Sequence, residues 1–333
     1  MERRYALELR PGDEVDGHFA LVGKEMRAAR TGEAYLTLEL SDRSGRLSGI
    51  MFRPGQGAES IPAGTVVHVR GTVTTYRGMI RVSVRSLSPA AEFDRREILP
   101  VGTRDEGELL AIMRRLVRSI ADPGLAALVR SVFGDARFMA AFRECPATVD
   151  DQRAYLGGLL DHTVGVATIC AQLAVTHPQI DADLLVAGAL LHDVGMVEAV
   201  RYDTGIEMTD QGRLVGHVVL GERRVLRAAE RVRTGLAPEV VARLVHMVLS
   251  HHAGDVSLAS VMPVTLEAVT LSHADHLDSE IARFADVTGR AASIGEPWTD
   301  TTNAFGRSLM APSVTDMDSA SLAESAARLP RSA

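Results

Sequence analysis

Nine of the eleven histidines in this chain lie between His162 and His276, interleaved with aspartates. Imidazole and carboxylate groups at those positions suit a divalent cation, provided the fold brings them together. His192 and Asp193 close the very apolar run Leu184-Leu185-Val186-Ala187-Gly188-Ala189-Leu190-Leu191. An unpaired carboxylate among those leucines would cost on the order of several kcal/mol, so something positive must stand beside Asp193. Few arginines flank it, and a divalent cation is the strongest candidate. A structural His–Asp pair tying two helices together is the competing reading of the dipeptide alone.

The remaining candidates sit at other helix ends. His162 lies in Gly157-Gly158-Leu159-Leu160-Asp161-His162-Thr163, and His217 follows Gly212-Arg213-Leu214-Val215-Gly216. His251 and His252 close Leu244-Val245-His246-Met247-Val248-Leu249-Ser250, and Asp275 lies in Ser272-His273-Ala274-Asp275-His276. Ligands drawn from several facing helices are how helical cores build metal sites. His246, His273 and His276 read as surface or supporting groups, and His177, before Pro178, as a loop residue. Asp278, one turn after Asp275, either orients a ligand or is solvated. Arg213, four residues before His217, either reaches a phosphate through its planar fork or forms a surface salt bridge.

Hydrophobic periodicity predicts the elements that must hold these groups. Leu109, Ile112, Met113, Leu116, Val117 and Ile120 make a helical stripe, and further helices are expected at about 155–175, 182–194, 216–233, 238–252 and 264–286. Pro238 suits a first helical turn, and Gly195 and Gly254 suit positions just past helix ends. Residues 14–88 read differently. Leu36, Leu38 and Leu40 alternate with polar neighbours, as do Val67, Val69 and Val73, and Ile80, Val82 and Val84. Turn signals at Asp42-Arg43-Ser44-Gly45, Arg53-Pro54-Gly55 and Arg77-Gly78 separate them. About five short amphipathic strands suit a five-stranded OB-fold barrel. The expected fold class is therefore multidomain, β followed by all-α. Its parts are a barrel over 1–90, a linker over 91–108, a helical domain over 109–311 and a disordered tail over 312–333.

Composition limits the function classes. Hydrophobic residues make up 46% and charged residues 24% of 333, ordinary for a globular protein. The formal charge of −7 excludes a global basic field, although the first 95 residues hold 14 Lys/Arg against 12 Asp/Glu and the rest 22 against 31. Lys24 is the only lysine, so arginine must supply the basic contacts. Two cysteines, Cys145 and Cys170, are too few for a disulfide framework and suit a reducing compartment. The longest apolar run falls well short of a membrane span. The expectation is a cytoplasmic protein with no membrane partner, a homo-oligomer being left open.

The order H…HD…H…HH…D resembles that of the HD phosphohydrolase superfamily, an all-helical metal-dependent fold. With the barrel ahead of it, and with Gly157 to Thr163, Ala189-Leu190-Leu191-His192-Asp193-Val194-Gly195, Gly212 to His217 and Leu249 to His252, the chain resembles the YhaM-type 3′–5′ exoribonucleases over about residues 10–310. The segments Gly295 to Trp298 and Phe305 to Ser308 are similar as well. The resemblance implies one metal held by His162, His192, Asp193 and Asp275. Asp193 would bridge to a second metal held by His217, His251 and His252. It also implies catalytic roles for Asp193 and Arg213, and two divalent transition-metal ions, manganese by family habit. The donor set itself leaves iron, cobalt or zinc open and disfavours magnesium alone. Where HD enzymes of this group often carry Lys after His-Asp-x-Gly, this chain has Met196. Where they carry a His pair before the Gly-Gly, it has Asp150-Asp151-Gln152-Arg153.

The expected substrate is single-stranded RNA, with single-stranded DNA as a variant, gripped by polar-face residues Tyr35, His68, Arg70, Arg81 and Arg85 of the barrel and by Arg213. The resemblance implies hydrolysis from the 3′ end to nucleoside 5′-monophosphates. Two alternatives stay open. One is a phosphohydrolase of a small or cyclic nucleotide. The other is a non-catalytic single-strand-binding protein with a degenerate site, for which Met196 speaks. Trp298, the only tryptophan, either stacks on a base or plugs a core.

Overall fold

A computed structural model describes residues 3–28, 32–150, 153–232, 235–252 and 261–312. Five strands come first: β1 (Glu14–Ala28), β2 (Ala34–Asp42), β3 (Gly45–Phe52), β4 (Val66–Tyr76) and β5 (Met79–Pro89), with a short helix α1 (Gln56–Ser60) between β3 and β4. They close into a barrel in the order β1-β2-β3-β5-β4. All neighbours are antiparallel except β3 with β5, which run parallel. This is the five-stranded OB arrangement expected from the alternating pattern. The inward parity is apolar: Phe19, Leu21, Leu36, Leu38, Leu40, Val67, Val69, Val73 and Val82 are all buried in one cluster. Ala58 of α1 joins that cluster and, with Ile61, covers one end of the barrel. At the β4–β5 bulge, a Cβ on Gly71 would stand 2.4 Å from the Ser83 carbonyl oxygen, so only glycine lets the two strands approach there.

The helical body follows. Within 91–108 lie α2 (Arg95–Ile98) and the first residues of α3 (Glu106–Ser119). Ile98 and Leu99 pack with Ala20 and Val66 of the barrel and with Leu156, so this segment is sandwiched between both parts of the chain. Helices α4 (Pro123–Phe133), α5 (Ala136–Glu144), α6 (Gly158–Thr176) and α7 (Ala182–Leu191) come next. The aspartates at 105, 122, 135 and 181 each cap a helix by accepting a backbone N–H of its first turn. Every residue of α7 from Leu184 to Leu191 is buried. The stripe on α3 is also as expected, with Leu109, Met113, Leu116 and Ile120 in the core.

Beyond α7 stand α8 (Met196–Ala199), a hairpin of β6 (Val200–Tyr202) and β7 (Ile206–Met208), α9 (Asp210–Leu214), α10 (His217–Arg231), α11 (Pro238–Ser250) and α12 (Leu266–Ser293). Helices α4 and α5 and the hairpin were not singled out by periodicity. Helix α12 runs seven residues past the expected 286, because Ala291 and Ala292 pack against Ala311 of the returning C-terminal segment. Gly254 and the tail from 313 lie outside the described residues.

Candidate metal centre

Five helix ends or faces converge on one buried point. Helix α6 contributes His162, the end of α7 His192 and Asp193, and the start of α10 His217. The end of α11 contributes His251 and His252, and α12 contributes Asp275. All seven sequence candidates are thus brought together. Their donor atoms form two groups, each within 4.8 Å: His162, His192 and Asp275, and Asp193, His217, His251 and His252. His192 is fully buried, and His251, His162, Asp275 and Asp193 are nearly so.

Asp193 stands between the groups. Its Oδ2 faces His162 Nε2 at 3.7 Å and His192 Nε2 at 3.6 Å. Its Oδ1 faces His217 Nε2 and His251 Nε2, each at 3.3 Å. Asp275 spans the groups from the other side, with Oδ1 3.0 Å from His162 Nε2 and Oδ2 3.6 Å from His252 Nδ1. Donors bonded to one cation at ~2.1 Å are separated by roughly 3.0–3.4 Å, which is close to the spacing of these atoms.

The imidazoles are held in one tautomer by their outer nitrogens. Nδ1 of His192 meets the Ala189 carbonyl at 2.7 Å, and Nδ1 of His251 meets the Val248 carbonyl at 2.7 Å. Carbonyls only accept, so both Nδ1 atoms donate and both Nε2 lone pairs face inward. Two pairs of Nε2 atoms then lie close together, His162 with His192 at 3.2 Å and His217 with His252 at 2.9 Å. Facing lone pairs repel unless a proton or a cation stands between them. Asp193 Oδ1 and His251 Nε2 are buried and make no hydrogen bond, their 3.3 Å approach being unaligned for one. Orphaned donor atoms of this kind, all nitrogen or carboxylate oxygen, fit divalent transition-metal ions well.

Electrostatics agree. Burial pushes His192 down to about 4 against the pull of Asp193, and burial with the neighbouring His251 pushes His252 down to about 3. Burial lowers His217 as well. Those three rings are neutral ligands at neutral pH. Burial would also lower His162, but hydrogen bonds to Asp275 and Asp278 outweigh it and raise it to about 10. Burial lowers His251 too, but the adjacent Asp193 carboxylate outweighs it and raises it. Asp193 and Asp275 are held well below the usual carboxylate range: burial opposes this, but the surrounding imidazoles prevail. Without metal, a proton on His162 supplies part of the positive charge this site demands.

A cleft of about 320 Å³ opens onto the centre. Its walls include Ala147, Val149, Met196 and Met208, with Asp150, Arg153 and Ser279 at polar points. Met196 is buried in that wall, where it offers apolar contact and no charge. Arg213 is exposed, does not line the cleft, and places Nε 3.4 Å from the Met208 carbonyl. His273, His276 and His177 are exposed, and His246 Nε2 accepts the Val264 N–H at 2.9 Å. Trp298 is 56% exposed, so it plugs no core. Asp278 proves to be buried against His162 Nδ1. Arg153, which touches Asp278, was missed because that partner lies 125 residues away in sequence.

Of the barrel residues, His68 and Arg70 stand on β4, Arg81 and Arg85 on the adjacent β5, and Tyr35 on β2. His68 Nε2 lies 2.7 Å and Arg70 Nε 3.2 Å from Asp16, and Arg85 pairs with Glu14. Arg81 lies over the Tyr76 ring at 4.3 Å. Tyr35 packs against Phe52, ring centroids 5.9 Å apart, with Arg27 opposite it in register. His68, Arg70 and Arg85 are thus matched by carboxylates of β1, whereas Arg81 and Tyr35 lie against aromatic rings. Strand parity separates inside from outside, but the outside of a closed barrel faces every direction.

Known proteins resemble this chain as follows. A family model described as HD domain matches residues 159–280. The chain is 28% identical to the 3′-5′ exoribonuclease YhaM of Bacillus velezensis over 274 residues, 81% of this chain and 86% of that protein. It is equally similar, at 28% and the same coverage, to the 3′-5′ exoribonuclease YhaM of Bacillus subtilis. Among solved structures, the second OB-fold domain of replication protein A from Methanococcus maripaludis aligns at 19% identity and a TM-score of 0.22, covering 26% of this chain and 93% of that one. The barrel assignment rests on its own strand order instead. Residues 159–280 thus match the HD-domain model around a candidate metal centre, behind a five-stranded OB-type barrel, in a chain that resembles the YhaM exoribonucleases.

Proposed function

We propose that this protein is a metal-dependent 3′–5′ exoribonuclease that hydrolyses single-stranded RNA to nucleoside 5′-monophosphates. The observation that carries the reading is Asp193, whose two oxygens are divided between two sets of inward-facing imidazoles. The substrate and polarity follow the relatives named 3′-5′ exoribonuclease. When bound, a pair of divalent cations supplies Lewis-acid stabilisation of the phosphate and acidifies the attacking water. His162, His192 and Asp275 would hold one cation, His217, His251 and His252 the other, and Asp193 would bridge them. Manganese is the cation proposed, since neutral imidazoles with carboxylates suit it and thiolates are absent from the set.

The cleft supports the entry of one nucleotide at a time. Its apolar wall of Met196, Met208, Ala147 and Val149 can pack against a sugar or base face without reading base edges. The barrel would hold upstream nucleotides. Tyr35 with exposed Phe52, and Arg81 over Tyr76, offer stacking surfaces, whereas His68, Arg70 and Arg85 begin neutralised by Asp16 and Glu14 and must exchange those partners for phosphate. Arg213 would act at the rim, on a flanking phosphate. Buried free Cys145 and Cys170 support a reducing, cytoplasmic setting.

The test is metal-loaded protein incubated with end-labelled RNA, single-stranded DNA and a panel of small nucleotides. Stepwise shortening of RNA from the 3′ end is the expected outcome. Turnover of small nucleotides alone, or retention of RNA uncleaved with metal bound, overturns it.

A further inference from the structure

The His162 ring is gripped at both nitrogens by one helix. Asp275 and Asp278, one turn apart on α12, meet Nε2 at 3.0 Å and Nδ1 at 2.8 Å respectively. A carboxylate only accepts, so both nitrogens carry hydrogens in the metal-free protein; a cation would displace the Nε2 hydrogen, leaving Nδ1 donating to Asp278 and the Nε2 lone pair pointing into the centre. His192 and His251 use backbone carbonyls for this purpose, whereas His162 uses a buried charged group.

That charge is itself managed. Arg153, 8% exposed, donates from Nη2 to the same Asp278 oxygen at 2.7 Å, and its Nη1 lies 3.3 Å from Asp161 Oδ2. Asp161 in turn accepts from Arg104 Nη1 at 2.6 Å and from the Tyr155 hydroxyl at 2.6 Å. The approach of α12 to α6 that permits all this depends on Gly165, where a Cβ would stand 2.3 Å from Asp278 Oδ1. Five polar side chains, none of them among the seven candidate ligands, are therefore spent on the outer edge of a single imidazole.

We propose that Asp278 and Arg153 are positioning residues that fix the tautomer and orientation of His162 and so set the affinity of the His162–His192–Asp275 group for its cation. The proposal rests on the reading of this cluster as a metal centre. Without Asp278, the hydrogen can move to Nε2 and the ring is free to turn. Without Arg153, Asp278 is a buried anion with one partner fewer and is drawn away from Nδ1.

The test is calorimetric titration of the metal-free full-length protein with Mn²⁺, with a thermal melt of each variant. His162→Ala and His217→Ala identify the two binding events. Asp278→Ala should weaken the event lost in His162→Ala by about 10–100-fold and leave the other unchanged. Arg153→Met should weaken the same event. Asp278→Asn, whose carbonyl oxygen still accepts from Nδ1, should recover most of the loss. Wild-type affinity in Asp278→Ala overturns this proposal alone, as does weakening of both events in step with a lowered melting temperature. An Asp278→Asn variant no better than Asp278→Ala also overturns it. A wild-type protein that takes up no Mn²⁺ overturns both this proposal and the metal-centre reading.

Discussion

At the scale of residues, the centre gathers five imidazoles and two carboxylates around one buried point. Asp193 faces four of the five imidazoles, with one oxygen toward each half, so Asp193→Ala should abolish uptake of both ions and reduce hydrolysis by several orders of magnitude. Filter binding to RNA should stay near wild type, because the barrel does not depend on that carboxylate. The protonation pattern makes a second prediction. His162 is raised from 6.5 to about 10, so its proton stabilises the metal-free fold below pH 6.5 and that contribution is lost as pH rises through 10. The same proton occupies the metal's side of the ring and must leave when the ion binds. Uptake of Mn²⁺ should therefore release protons at pH 7, and apparent affinity should climb as pH rises toward 10. Calorimetry in buffers of different ionisation enthalpy measures this, and pH-independent affinity would contradict it.

At the scale of elements, the spacing of backbones decides whether the ligands can meet. Gly195 follows Asp193 by two residues, and a Cβ there would stand 1.9 Å from the His217 carbonyl oxygen and 2.5 Å from the Gly221 nitrogen. Neither obstacle is a flexible side chain. Gly195→Ala should cost about 1–3 kcal/mol or more, as overpacking does, in denaturant unfolding of the metal-free protein. It should also push His217 away from Asp193, so the cation shared by those residues is the one weakened. Much of this level was legible beforehand. Apolar stripes located α3, α10, α11 and α12, and apolar runs located α6 and α7. Helices α4 and α5 have 11 and 9 residues and announce themselves only by Asp122-Pro123 and Gly134-Asp135 at their borders. The extension of α12 was not legible, because it depends on Ala311 arriving from elsewhere.

At the scale of the whole molecule, the seven candidate ligands were legible because each carries its own local signature, a polar group ending or facing an apolar helix. Arg153 carries none. Its partner Asp278 lies 125 positions away, and only the packing of α6 against α12 reveals the pair. The barrel shows the same limit: alternation told which side chains point outward, and closure decided which of those are neighbours. Tyr35 and Phe52 face each other across β2 and β3, which makes them the natural stacking pair. The double variant Tyr35→Ala/Phe52→Ala should weaken binding of a single-stranded oligonucleotide by roughly 1–3 kcal/mol per base unstacked. Hydrolysis of a dinucleotide, too short to reach the barrel, should be unaffected, and equal loss on both substrates would argue against the division of labour.

The partnership between α6 and α12 also bears on when the protein becomes competent. His162 and its partner Asp278 are separated by 116 residues, and Asp275 comes only three residues earlier than Asp278. A chain emerging from the ribosome completes its barrel at residue 89 and exposes most of its imidazoles long before α12 exists. Until that last long helix docks, the nascent polypeptide lacks the carboxylates that finish the chelate. The proposed nuclease, made this way, would stay inert beside the very message that encodes it.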